Sequence, residues 1–564
     1  MDKLPNELVH EILDFCMRDP DQEKASILEL RLVCRAFDRM LKPYVLQTLG
    51  LGFFRLSTIS RESHSKFETL KTIGSHCKSF NINMMLLRDE LEVDAFQQMH
   101  TRVPWMAEFC ASLQSNYCMN ESSFTELEYL EAVVDTLSHC RQVERLRLSL
   151  PFQILGNRCS AITIVMANTL KALALRPEDS VPLRVLVLEN VPDVAVCQLW
   201  TNPSDVKNII TVISALEHLV ISLRRHEKDP QRVATFGSCF WNLIQHASRL
   251  ESLCLVGTDN DSPPRGLKQT WSWQRPFDEW RARSLPHPRP LSPCLTCLEL
   301  KRIEISAESL LRAVADFGPS LEELYLNEVY LKTEQSQAWN ADADQVLWIG
   351  LPNQQPRPDC QWIAMEVRLG MPKLRVCRAS FLAYDHYTTD DADANVDAGP
   401  ASQPTFDLID PCGLGRSVSQ RFVEIVTGIR QPNTPAGEPV EYLPGPSWSS
   451  PPPPEGAPEV APHLRLKDRP RAIGVVDYDT NAYQTDVHNP TSRWQGSIDG
   501  LFPNHNGEVL RELNRIAKKA CSALKEEISQ RRQEATQGRA GPRDDLPEDP
   551  SVVGPPDFGL DEGI

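Results

Sequence analysis

One pattern, L/V-x-x-L-x-L, recurs along the middle of this chain and limits what it can fold into more than any other feature. Copies stand at Val143-Leu146-Leu148, Leu183-Leu186-Leu188, Leu216-Leu219-Ile221, Leu250-Leu253-Leu255, Leu295-Leu298-Leu300 and Leu321-Leu324-Leu326, with a weaker seventh at Leu374-Cys377-Ala379. The L-x-L part alternates as one face of a short strand does, and the leading apolar residue marks the handover from a helix. Between copies, residues 162–173, 206–216, 236–250 and 306–321 carry apolar side chains at helical period. A strand–helix unit cannot bury its apolar face alone. The units should therefore stack, strands parallel in a curved sheet and helices behind it.

The repeat is irregular. First-position intervals run 40, 33, 34, 45, 26 and 53 residues, mostly above the roughly 20 to 29 of regular leucine-rich units. Pro151, Val191, Arg224, Thr258, Ile303 and Val329 occupy the positions where an asparagine ladder would sit. These departures predict an irregular arc with long loops, and a general α/β domain with parallel strands stays open as the alternative. Ahead of the clear copies, residues 67–80 and 124–137 read as helical, and Phe80-Asn81-Ile82-Asn83-Met84 reads as an early strand.

The first four dozen residues have a different texture. Pro5 suits the first position of a helix, where its missing N–H has no intrahelical partner. Leu8, Val9, Ile12, Leu13 and Cys16 then form one apolar stripe, which Asp19-Pro20 ends. Ser26 and Glu29 have capping-box spacing and predict a second helix carrying Leu28, Leu30, Leu32 and Val33. A third turn carries Phe37, Met40, Leu41 and Tyr44. Three helices this short bury little on their own, so leftover aliphatic side chains predict a docking face.

The stretches Leu4-Pro5-Asn6-Glu7-Leu8, Ile12-Leu13 and Leu30-Arg31-Leu32-Val33-Cys34-Arg35-Ala36-Phe37 resemble the F-box of fungal F-box proteins, and the repeats that follow resemble the leucine-rich repeats that often accompany it. The resemblance implies that Leu4, Pro5, Leu8, Ile12, Leu13, Leu28, Leu32, Val33, Cys34 and Phe37 contact a Skp adaptor, which joins them to a cullin and a RING subunit. It implies an α+β chain, a short three-helix F-box followed by an irregular leucine-rich-repeat-like α/β solenoid. It implies a non-catalytic substrate receptor of a ubiquitin ligase, with no cofactor and no metal. Two alternatives stand beside it: a helical cap packed on the chain's own body, and a repeat scaffold that binds the adaptor outside a degradative ligase.

Composition bounds the partners. A formal net charge of −17 repels phosphate backbones, so no nucleic-acid partner is expected. No stretch approaches the roughly 20 apolar residues of a membrane helix. The charged start MDKLPNELVH lacks an apolar signal region, and the 16 cysteines therefore read as reduced thiols in cytoplasm or nucleus.

These signals divide the chain into 1–48 (F-box), 49–385 (repeat body, with an insertion at 258–293), 386–470 (acidic and proline-rich linker or insertion), 471–534 (a closing strand at 471–476 and a helix over 508–533) and 535–564 (a tail too polar to fold). Trp271, Trp273 and Trp280 lie in the insertion and are the candidate substrate-binding residues, because Trp dominates interface energetics; such residues also commonly pin their own loop. The Cys294-x-x-Cys297 pair lacks a second pair at zinc spacing, and the run from Asp391 has Val396 where a calcium loop needs Gly. No phosphate-binding loop or nucleophile motif is present, so an enzyme with an unrecognised site is the remaining rival.

Overall fold

The computed structural model describes residues 29–61, 67–99, 104–151, 160–224, 230–258, 295–332, 346–347, 361–384 and 418–427. It also describes Leu8, Glu11 and a set of helical positions between Arg511 and Gln533. The predicted strand at 471–476, the proline-rich stretch, the tail and the three insertion tryptophans lie outside the described residues.

A ten-stranded sheet organises the described residues. Its main path is β1 (Thr48–Gly52), β2 (Ser79–Asn83), β3 (Arg145–Ser149), β4 (Val185–Pro192), β5 (His218–Arg224), β6 (Ser252–Thr258), β7 (Cys297–Ser306), β8 (Glu323–Lys332) and β11 (Val376–Ser380), with β12 (Ala383–Tyr384) also on β8. All pairings are parallel, and the strands follow one another in chain order. A parallel neighbour requires a crossover, and helices supply it: α6 (Glu126–His139), α7 (Ser160–Ala174), α9 (Pro203–Ile213), α10 (Pro230–Gln245), α11 (Ala307–Phe317) and α12 (Ile363–Gly370) are among them. The short pair β9 (Val346–Leu347) and β10 (Gln361–Trp362) forms a separate ribbon.

Each L-x-L copy is a strand, and its two apolar residues enter one continuous core shared with the helices, as Leu186, Leu188, Leu219 and Ile221 do beside Val165, Leu170 and Ile213. Capping sets the helix starts. Thr125 accepts from the Glu128 amide at 3.3 Å and donates its own amide to the Glu128 carboxylate at 2.7 Å, a complete capping box for α6.

A second repeat is conformational. Asn190, Arg302, Glu328 and Phe381 have φ of 61°, 55°, 50° and 52°, each two residues past the second apolar residue of its L-x-L. This left-handed step shifts the alternation by one, so that Val191, Ile303, Val329 and Leu382 return to the core.

Two sequence expectations are corrected. Residues 67–80 are not one helix: α3 (Phe67–Ile73) passes into a 3-10 turn at Gly74–His76, and Phe80 lies in β2. Gly74, which opens that turn, lies so close to the His139 carbonyl that a Cβ could not fit there. Leu32 and Val33 are not helical either; they form a turn after helical residues 29–31 and before α1 (Arg35–Val45). The remaining described helices are α2 (Phe53–Arg61), α4 (Glu90–Met99), α5 (Pro104–Tyr117), α8 (Asp193–Leu199) and α13 (Val418–Thr427).

Candidate functional site

Two features lie outside the main core. The first lies in the N-terminal segment. Leu32 is 86 % exposed, Val33 56 % and Leu8 45 %. The turn that presents Leu32 and Val33 is tied down: their amides donate to the carbonyls of Glu29 and Leu30 at 2.9 and 3.2 Å. The Arg31 guanidinium donates twice to Asp38 Oδ1, at 3.0 and 2.8 Å. Beneath it Phe37, Leu41 and Val45 form a small core of their own, with Leu30, Cys34 and Met40 packed against them. Phe37 and Cys34 thus support the turn from below, and Leu32 and Val33 are offered outward. Of the other sequence-assigned adaptor contacts, Leu4, Pro5, Ile12, Leu13 and Leu28 lie outside the described residues.

The second is the sheet face opposite the main core, which is buried from Asn81 and Arg147 through Val187, Val220 and Cys254 to Glu299. It is built from the middle residue of each L-x-L, and register lines these residues up. Asn81 and Arg147 stand on β2 and β3. Val187, Val220 and Cys254 occupy β4 to β6. Glu299, Tyr325 and Arg378 follow on β7, β8 and β11. Val185, Val187, Val220 and Cys254 form a second buried apolar cluster, whereas Gly50 and Arg378 at the two ends of the row are exposed.

Polar groups on this face pair across strands. Arg147 Nη2 donates to Glu189 Oε1 at 2.5 Å and the Ser149 hydroxyl to Glu189 Oε2 at 2.6 Å. Asn327 Nδ2 meets Ser380 Oγ at 2.5 Å, and within β8 itself the Tyr325 hydroxyl donates to Glu323 at 3.1 Å. Burial, with Glu299 beside it, pushes the Cys254 thiol well above its usual range, so it is not poised as a nucleophile. Among the described residues, no group of three or more His, Cys, Asp or Glu could hold a metal ion, and no helix is long and apolar enough to cross a membrane.

The signal for this row lies in the sequence, one residue inside every copy of the motif. A third feature involves the helix that the sequence predicts over 508–533. The C-terminal helix returns to the start of the sheet: Ile516 is buried in the main core, and Arg515 donates to the Tyr117 hydroxyl at 3.1 Å while that hydroxyl meets Glu512.

No protein-family model matches this chain, and neither does any curated protein.

Proposed function

We propose that this chain is the substrate-receptor subunit of a Skp–cullin–F-box ubiquitin ligase. The observation that carries the reading is the exposure of Leu32 and Val33 on a hydrogen-bonded turn, within the segment that resembles an F-box. Exposed single leucines are ordinary on protein surfaces; two adjacent large aliphatics held in fixed geometry are not, because they gain free energy only when another surface covers them. Burying such a side chain stabilises a complex by about 1.5 to 3 kcal/mol, and a turn already ordered in the free protein loses little entropy on binding.

In this reading the chain performs no chemistry. The adaptor end fixes it to the ligase, and the sequential strand–helix units, read as degenerate leucine-rich repeats, hold the target at the exposed end of the row on the second face of the sheet. There Tyr325 and Arg378, residue types that dominate interface energetics, stand toward the open end of the row. Ubiquitin transfer would follow from the high effective concentration of target lysines near the charged enzyme.

The experiment is co-purification from cell extract with full-length Leu32→Asp/Val33→Asp. The Skp adaptor is expected with the unaltered chain and lost with the variant, while circular dichroism of the two proteins stays the same. Adaptor captured equally by both would end the assignment.

A further inference from the structure

Two pairs of cysteine thiols meet among the described residues, and they differ in what can reach them. Cys77 and Cys140 are hydrogen-bonded through their side chains inside the main core, 2 % and 0 % exposed. The bond to Cys77, followed by burial, pushes the Cys140 thiol up, and a sealed thiol of this kind is inert. Cys197 and Cys239 are likewise bonded through their side chains, but both are only half-buried, at the edge of the main core. They stand on α8 (Asp193–Leu199) and α10 (Pro230–Gln245), which pack directly together. Trp200, next to α8, stacks on His246, next to α10, with ring centroids 6.4 Å apart, so a second contact holds the two helices at this approach. Burial raises the Cys239 pKa, and the bond from Cys197 partly opposes the rise. A bond that favours the thiolate is one in which the Cys197 S–H donates and the Cys239 sulfur accepts.

We propose that Cys197 and Cys239 form a reversible oxidation site, which a small-molecule disulfide such as oxidised glutathione closes into a disulfide between α8 and α10. Cys239 is the attacking thiol. Its thiolate forms a bond to one glutathione sulfur, the glutathione S–S bond breaks, and one glutathione leaves as thiolate. Cys197 then gives up its proton to solvent and attacks the Cys239 sulfur; the protein disulfide forms and the second glutathione leaves as thiolate. Two protein thiols are oxidised, one glutathione disulfide is reduced, and the protons released end on the two glutathione thiols. The bridge encloses α9 and β5, one whole strand–helix unit, and thereby restrains the unfolded chain across that unit. An accessible pair gives the labile, regulatory kind of disulfide. The proposal is independent of the adaptor assignment, since it uses none of the residues near Leu32.

The test incubates the full, folded chain with oxidised glutathione, alkylates the remaining thiols with a maleimide and maps the unreduced peptides by mass spectrometry. Cys197 and Cys239 should lose maleimide reactivity together and appear as one cross-linked peptide, while Cys77 and Cys140 stay unlinked. The rate should rise about tenfold for each pH unit while Cys239 remains mostly protonated. The bridged protein should melt at a higher temperature, and dithiothreitol should return it to the starting value. In Cys197→Ser, glutathione should remain on Cys239 and the melting temperature should not rise. Cys197 and Cys239 both alkylated after oxidation, either of them bridged to another cysteine, or bridging of Cys77 to Cys140 at the same rate would overturn the proposal.

Discussion

Glu328→Ala tests the physics of the conformational repeat. Arg302 Nε donates to Glu328 Oε2 at 3.1 Å, the two side chains are 9 % and 7 % exposed, and Glu328 Oε1 has no hydrogen-bond partner. At an effective dielectric of about 20, the Coulomb attraction over that distance is roughly 5 kcal/mol, most of it offset by the desolvation of both groups. Removing one partner keeps the other's desolvation cost and forfeits the attraction, so Glu328→Ala should destabilise by about 3 to 5 kcal/mol. Glu328→Gly loses the same pair but relieves the left-handed backbone at φ 50°, which returns about 1 to 2 kcal/mol. Urea unfolding followed by circular dichroism gives both differences, and hydrogen exchange across β7 and β8 locates them. In an Arg302→Ala background the cost of Glu328→Ala should shrink, because the pair is already broken there. An undiminished cost there, or one below about 1 kcal/mol in the single variant, would refute the argument.

Two further outcomes are expected. A Cβ on Gly370 would lie 2.6 Å from Val314 Cγ1, and one on Gly318 would collide with the Gly370 carbonyl; Gly318→Ala should therefore cost about 1 to 3 kcal/mol. Gly50→Ala, with nothing within 4 Å, should be neutral or stabilising in the same denaturation assay, and equal losses at both sites would discredit the packing explanation. Docking of the C-terminal helix should depend on pH at both ends. Burial pushes the Glu512 carboxyl up, but hydrogen bonds from Arg515 and Tyr117 outweigh it and hold the group below its usual 4.5. Its contribution is therefore present above that value and is lost as pH falls through the lower folded value. Burial, aided by Glu512, raises the Tyr117 phenol above 10.0, so its contribution holds below that pH and is lost as pH rises through the higher folded value. Hydrogen exchange in α5 should show a plateau between these limits, and Arg515→Gln should move the acid limit upward; an unmoved limit would contradict the assignment.

The main sheet was legible because its signal is local and repeated. From Val143 onward each L-x-L copy became a strand, and Phe80 and Ile82 gave β2 in the same way. Leu46, Leu49 and Leu51 carry the same spacing, with Leu49 and Leu51 in β1, and that copy is hard to read because it straddles the expected boundary at residue 48. What the sequence could not show depends on backbone geometry or distant contact. Asn, Arg, Glu and Phe share no side-chain chemistry, so nothing in the residue types marks positions 190, 302, 328 and 381 as one left-handed step. Gly74 reads as an ordinary helix interruption until the His139 carbonyl is seen against it. The N-terminal surface was half legible: the choice of Leu32 and Val33 came from resemblance, whereas their exposure on a turn comes from the structure.

Return of the C-terminal helix to Tyr117 bears on how the molecule comes apart. An array joined only to its nearest neighbours can fray from either terminus, one unit at a time. Here the last described helix grips a residue ahead of β3, so the chain is latched into a closed circuit and peeling from the end must first break that latch. Pulled by its termini, such a molecule should hold until the latch gives and then lengthen in one large step, where an unlatched array would yield a staircase of small ones.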